Sequence, residues 1–325
     1  MYTHSEEKSV EKVCFENEHI CKNIELTNKQ FEKYFSEFIE SGNNSALTHE
    51  KLEQMAENFG IDTPETKVNI TERYNKIINE AIAEFEKDRE KYLAIMNKDV
   101  LQAYEEDVNY FKEKVLRNEC PVIHSTLQNK KAKQLDKYRK DFNIAKANEL
   151  LEVVANLCNF SERYIENNKN NAFTNVKNYK ELELEILDTD EYTAYGVIGG
   201  GIKSMLLYKM YPEFFSYRSR EAIWSLWYLT NKEVLDCTMD SEFIMIDTNK
   251  TITQQNYFYP YCLFSFYALN IFYLLNQKAK EYNVVIPIKY RYVIVDAFMS
   301  FVARTHQEEI DLYTRNIGED SYYGV

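Results

Sequence analysis

From Thr71 to Asn118 the chain contains neither Pro nor Gly. Apolar residues recur at Tyr74, Ile78, Ala81, Phe85, Tyr92, Met96, Ala103, Val108, Phe111 and Val115, with Glu, Asp, Lys and Arg between them. That spacing predicts one amphipathic helix, about 70 Å long if unbroken. Pro121 interrupts it, and a second pattern runs from Leu127 to Glu166 through Tyr138, Phe142, Leu150, Val154 and Leu157. Two long helices joined by a short connection fold back antiparallel, so residues 71–166 read as a helical hairpin with coiled-coil character. Ahead of it, Thr27 and Gln30 form a capping-box pattern opening a helix through Phe31, Tyr34, Phe35 and Phe38 to Gly42. A shorter helix is expected between Thr48 and Gly60.

The pattern changes beyond the Asn-rich, aperiodic stretch 167–178, which marks a linker between a helical domain (1–166) and a second domain (179–325). There Leu182, Leu184 and Ile186 alternate with charges, and short apolar runs at Phe243–Asp247 and Tyr290–Val295 each end before or at an acid. These predict strands. Helices are expected over Ile202–Met210, over Ser219–Thr230 with both tryptophans, Trp224 and Trp227, and from Pro260 to Lys280. The fold expected is therefore mainly α with a minor β component: the hairpin, then a compact, aromatic-rich α+β domain.

Composition changes this picture little. The formal net charge is −13 at pH 7, which opposes a general attraction to phosphate backbones and leaves only local patches for it. Cys14, Cys21, Cys120, Cys158, Cys237 and Cys262 form no CxxC pair, and the first residues are polar and charged, as for a cytoplasmic chain with free thiols. The uncharged stretch Thr251–Gln277 is interrupted by tyrosines and Pro260, so it reads as a buried helix and no membrane span is expected.

Candidate chemistry gathers at a few places. Gly196, Gly199, Gly200 and Gly201, half of the chain's eight glycines, precede Lys203. GVIGGGIKS approaches a phosphate loop, but Ile202 stands between Gly201 and Lys203 and turns the lysine away. A dinucleotide turn needs a preceding strand, and TDEYTAYG is a poor one. A turn permitting close backbone approach, with positive φ at Gly200 and Gly201, is expected. Anion binding by Gly199, Gly200, Gly201, Lys203, Arg218 and Arg220 is the alternative.

Lys130, Lys131, Lys133, Lys137, Arg139, Lys140 and Lys146 oppose only Asp136 and Asp141, a local basic face. It is expected to pair with an acidic neighbouring helix, and nucleic-acid contact there is possible but not favoured. Cys14, His19, Cys21, Cys120 and His124 match no zinc spacing, and neither a metal nor a cofactor is expected. Asp247 and Asp296 end apparent strands, while His306 and Glu309 share a helix face near Arg304 and Glu308. These four acids and bases are the candidate catalytic set. Gln254 to Tyr259 form a polar-aromatic cluster that ties down a loop. With no nucleophile–base pair of recognised spacing, the expected function is an interaction or scaffold protein presenting its hairpin to a protein partner, with a receptor-like C-terminal domain. A nucleic-acid-processing or metal-dependent enzyme is the alternative.

Overall fold

The computed structural model describes residues 13–41, 70–132, 135–170, 173–232, 245–247, 252–254 and 260–320, and for 245–247, 252–254 and 314–320 the backbone path alone. The expected helix at 48–60 and the Gln254–Tyr259 side chains lie outside them.

The α+β expectation does not hold: the fold is all-α. Twelve principal helices carry it among the described residues: α1 Asn17–Ser41, α2 Ile70–Glu86, α3 Arg89–Ile95, α4 Lys98–Ala103, α5 Pro121–Gln128, α6 Asp136–Ile144, α7 Ala147–Asn168, α8 Gly200–Met210, α9 Arg220–Leu229, α10 Tyr261–Glu281, α11 Arg291–Thr305 and α12 Gln307–Asp320. A three-residue antiparallel ribbon, β1 Met245–Asp247 with β2 Ile252–Gln254, forms no layer. Residues 182–186 bridge two 3₁₀ turns, Tyr179–Leu182 and Glu185–Asp188, rather than forming an edge strand.

Tyr290 ends a 3₁₀ turn and Arg291–Val295 open α11, so the run is not a strand. Tyr292, Val293, Ile294 and Val295 are buried in succession because α1, α2, α9 and α10 surround this helix. A short apolar run does not distinguish a buried strand from a helix enclosed on all sides. Phe298, Met299, Val302 and Ala303 then continue the buried surface at helical spacing. α10 lies against α1 and α11 and, as expected, is buried over most of its length. No described helix is long and apolar enough to cross a membrane.

The single helix expected over 71–118 is also corrected. It is broken after Glu86, after Ile95 and at Asp107, and Phe111–Glu119 is π-helical. Each break has a local cause. At the first, Lys209 of α8 inserts its ammonium, donating to Phe85 O at 2.7 Å and to Asp88 at 2.6 Å. Arg89 answers by donating to Lys209 O and Met210 O, the last carbonyls of α8. Asn97 caps α4 by accepting from the Asp99 and Val100 amides, and Asp107 caps the next turn through the Tyr110 amide. The second long pattern divides likewise into α5, α6 and α7. Only α7 keeps the expected course, returning along α4 and the π-helix. α1 starts at Asn17, so Thr27 lies inside the helix, buried, rather than at its cap.

Aromatic residues fill the space between helices. Phe160, Tyr164 and Phe215 meet under α7, and the buried Arg291 guanidinium lies 5.1 Å from the Phe272 ring centre. The buried apolar residues form one contiguous core that continues across 167–178. Tyr74 of α2 donates to Leu275 O, and Thr71 donates to Tyr282 O.

Two predictions follow from this packing. A fragment of residues 179–325 loses the α1, α2 and α3 surfaces that cover α8, α10 and α11, so its near-UV circular dichroism should be that of a loosely packed state. A sharp near-UV spectrum with cooperative melting would establish the expected division as a true domain boundary. The second concerns the glycine turn, where positive φ occurs at Gly196 (77°) and not at Gly200 or Gly201. A Cβ at Gly200 would stand 1.6 Å from Arg218 Nη2, whereas at Gly201 its nearest neighbour is Arg218 O at 3.9 Å. Gly200→Ala should therefore cost about 2 kcal/mol or more in denaturant unfolding. Gly201→Ala, in the first turn of α8, should be neutral or stabilise by up to about 1 kcal/mol.

Candidate functional site

The residues marked in the sequence fall into three places. The glycine turn is the first. Its tight loop closes with the Ala194–Ile198 bridge, and Gly199 precedes α8. Lys203 is buried, and its ammonium donates to Leu187 O and to Thr193 Oγ1. Arg218 is buried against Gly200, and its own amide donates to Ser204 Oγ at 3.1 Å. Burial lowers Lys203 to a pKa of about 8 and Arg218 to about 10, with the Asp188 carboxylate opposing both shifts. Asp188 itself accepts the Tyr261 N–H and so caps α10 from a distant segment. These cations are occupied by protein groups, while Arg220, at the start of α9, is exposed.

Asp296 occupies the second place. It sits within α11, not at a strand end, and Tyr208 donates to its Oδ2 at 3.4 Å. Burial pushes its carboxyl up to about 7, and the nearby Glu221 adds to the shift, against lowering by Tyr208, Lys209 and Arg304. Asp247 lies in β1, and its side chain is outside the described residues. The sheet edge that was to join Asp247 with Asp296 does not exist among the described residues, since Asp296 belongs to a helix.

His306 and Glu309 form the third place, and the structure does bring them together. His306 caps the end of α11, and its Nδ1 lies 3.9 Å from Glu309 Oε2 across the junction with α12. His306 Nε2 pairs with the Tyr34 hydroxyl at 2.8 Å, and its ring stacks on Tyr228 with centres 3.8 Å apart. Glu309 accepts from Tyr228 at 3.1 Å, from Tyr313 at 2.9 Å and from Lys232. Asn231 and Lys232, both with left-handed φ, turn the chain at the end of α9 and aim that ammonium. Burial lowers the His306 pKa, more than Glu309 raises it. The Glu309 carboxyl is raised by burial, but hydrogen bonds from Lys232, Tyr313 and Tyr228 outweigh this and hold it low. His306 Nε2 stands at hydrogen-bond distance from the Tyr34 hydroxyl while Nδ1 stays 3.9 Å from Glu309, beyond hydrogen-bond reach, so the corner brings together an imidazole and a phenol with a carboxylate nearby. Ten residues of largely helical chain, about 15 Å if wholly helical, separate Asp296 from His306, so Asp296 stands apart from the His306–Glu309 pair.

Sequence reasoning missed Tyr34, Tyr228 and Lys232, which arrive from α1 and the end of α9. It also missed a polar hollow of about 270 Å³ lined by Lys98, Asn156, Asn159, Glu162, Arg163, Glu191 and Tyr192. No group of three His, Cys, Asp or Glu residues suited to a metal occurs among the described residues. Cys14 and Cys120 are buried, and His124 pairs with Arg117 O.

The basic face has its own geometry. α6 buries Phe142 and turns Lys137, Lys140 and Ile144 outward, with Ile144 72% exposed. The expected pairing with an acidic helix is not found: among the described residues the ion pair of this segment is the local Arg139–Asp136. No family model, curated protein or solved structure matches the chain, so the fold class, all-α, is as far as classification goes.

The Asp296 environment makes a pH prediction. A folded-state pKa of about 7, raised from 3.8, means that stability present below pH 4 is lost as pH rises toward 7. Asp296→Asn removes that loss. The variant should be more stable than the parent by on the order of 2–4 kcal/mol at pH 8, with the difference shrinking toward pH 4 in urea titrations. A constant difference across this range would contradict the raised pKa.

Proposed function

We propose that this chain is a cytoplasmic interaction protein, in which the helices of residues 71–166 present a surface to a protein partner and residues 179–325 serve as a receptor-like body. One observation carries the reading: Lys137, Lys140 and Ile144 stand exposed on one face of α6, and among the described residues no carboxylate pairs with either lysine. Asp136 and Asp141 flank these lysines at four-residue spacing, but among the described residues Asp136 pairs with Arg139 and no ion pair joins either acid to Lys137 or Lys140. Free, mostly buried cysteines suit a reducing compartment.

A second reading rests on the Tyr34–His306–Glu309 alignment, which supports acid–base catalysis at that corner. The two separate in one experiment. A photo-reactive benzoylphenylalanine placed at Ile144 in the full chain should give a discrete cross-linked species in cells. The same group at Val285, equally exposed, should not. The Ile144 species should disappear in Lys137→Glu/Lys140→Glu, and His306→Ala should keep full biological activity. Loss of activity in a well-folded His306→Ala, with no species at Ile144, would put the catalytic reading in its place.

A further inference from the structure

The α6 face has a shape and a chemistry that narrow its partner. Lys137, Lys140 and Ile144 follow the i, i+3, i+7 spacing of one helix face. Over seven residues they span about 10 Å, two turns of a helix laid alongside. The face is held rigidly from beneath. Lys112 of the π-helix donates to Asn143 O at 2.9 Å and to Ala145 O at 2.7 Å, satisfying carbonyls at the C-terminal end of α6. Arg117 donates to Asn143 Oδ1 and stacks over the buried Phe142 ring. Arg139 donates to Asn129 O and Ala132 O, fixing the loop that carries Lys130 and Lys131 against the start of α6. Gly196, with its positive φ, lets the 194–198 turn press on Asp141, where a Cβ would meet Asp141 Oδ2 at 2.6 Å. A face fixed on three sides loses little freedom on binding.

We propose that this face binds an acidic amphipathic helix of a partner protein, its carboxylates lying over Lys137 and Lys140 and an apolar residue against Ile144. This rests on the interaction reading above and adds the chemistry of the partner. Charge complementarity selects an anionic partner, and three features select an acidic helix over a nucleic acid. The charged positions are followed one turn later by an exposed isoleucine, which finds no counterpart on a phosphate backbone. The arginine of the segment, whose guanidinium fork suits phosphate best, is consumed by Asn129 O, Ala132 O and Asp136. The remaining protein is strongly acidic, which disfavours a long polyanion running past the patch.

The test uses the full chain and a fluorescein-labelled helical peptide with glutamates at i and i+3 and a leucine at i+7. A scrambled peptide of the same composition and a single-stranded oligonucleotide serve as comparisons. Anisotropy at low salt should show the patterned peptide binding about tenfold more tightly than either comparison. Lys137→Gln/Lys140→Gln should weaken it about tenfold and Ile144→Ser about fivefold, with unchanged melting curves, while Lys280→Glu should change nothing. Oligonucleotide binding as tight as the peptide, with the same lysine dependence, would overturn the proposal in favour of a phosphate-binding face. Equal binding of the scrambled peptide, or insensitivity to the α6 variants, would overturn it as non-specific attraction. No peptide binding, with the Ile144 cross-link present in cells, would sink the acidic-helix chemistry and leave the interaction reading standing. Absence of both would remove the interaction reading itself.

Discussion

The contact on which the C-terminal half of the fold depends is that of the buried Arg218 side chain with the backbone at Gly200. A guanidinium taken out of water is costly unless acceptors and countercharge surround it. Here Asp188 offsets the desolvation of Arg218 and Lys203 together, and the Lys203 ammonium donates hydrogen bonds to Leu187 O and Thr193 Oγ1. Asp188 can do so because the 3₁₀ turn Glu185–Asp188 brings it to the first amide of α10. The start of α8, the entry to α9 and the cap of α10 therefore share one set of charges. Glycine at 200 is what leaves room for it.

A second pair of buried contacts extends this frame to the N-terminal half. Lys209 donates to Phe85 O in the last turn of α2 and Arg89 to the last carbonyls of α8, so α8 cannot move without disturbing the α2–α3 turn. The Lys209 ammonium also lies 4.5 Å from the Phe85 ring centre, where an aromatic face replaces part of its lost hydration. Hydrogen bonds to charged groups contribute roughly 1.5–3 kcal/mol each when well formed. The break in the long helix is thus a docking feature, offset by what it receives.

How much of this was legible follows from what kind of force fixed each element. α8, α9 and α10 announced themselves through glycine, a serine N-cap at Ser219 and Pro260, because caps and turn residues act locally. The breaks at Asn97 and Asp107 carried cap residues too, but in a stretch rich in charge these were indistinguishable from helix-surface residues. The missed α11 has another cause: enclosure on all sides erased its amphipathic period, leaving YVIV to read as a strand. At the candidate site, the His306–Glu309 pair was visible because both lie within one turn. Tyr34 is 272 residues from His306 in sequence, and nothing local to either residue signals the meeting.

The charge distribution has a consequence for how any anionic partner reaches α6. At physiological ionic strength, charges interact appreciably within about 8 Å, so the net −13 of the chain repels an acidic molecule only at close approach. The lysines of α6 act at the same range, and the two fields compete over the last ångströms rather than during diffusion. Association through this face therefore gains little from long-range steering, unlike that of oppositely charged pairs. Added salt weakens both the attraction at the patch and the repulsion around it, so the net salt dependence measures how far the partner extends beyond the patch. A short helix confined to Lys137, Lys140 and Ile144 meets mainly attraction. A longer acidic surface would meet the rest of the protein, and the proposed face would discriminate against it without a single additional contact.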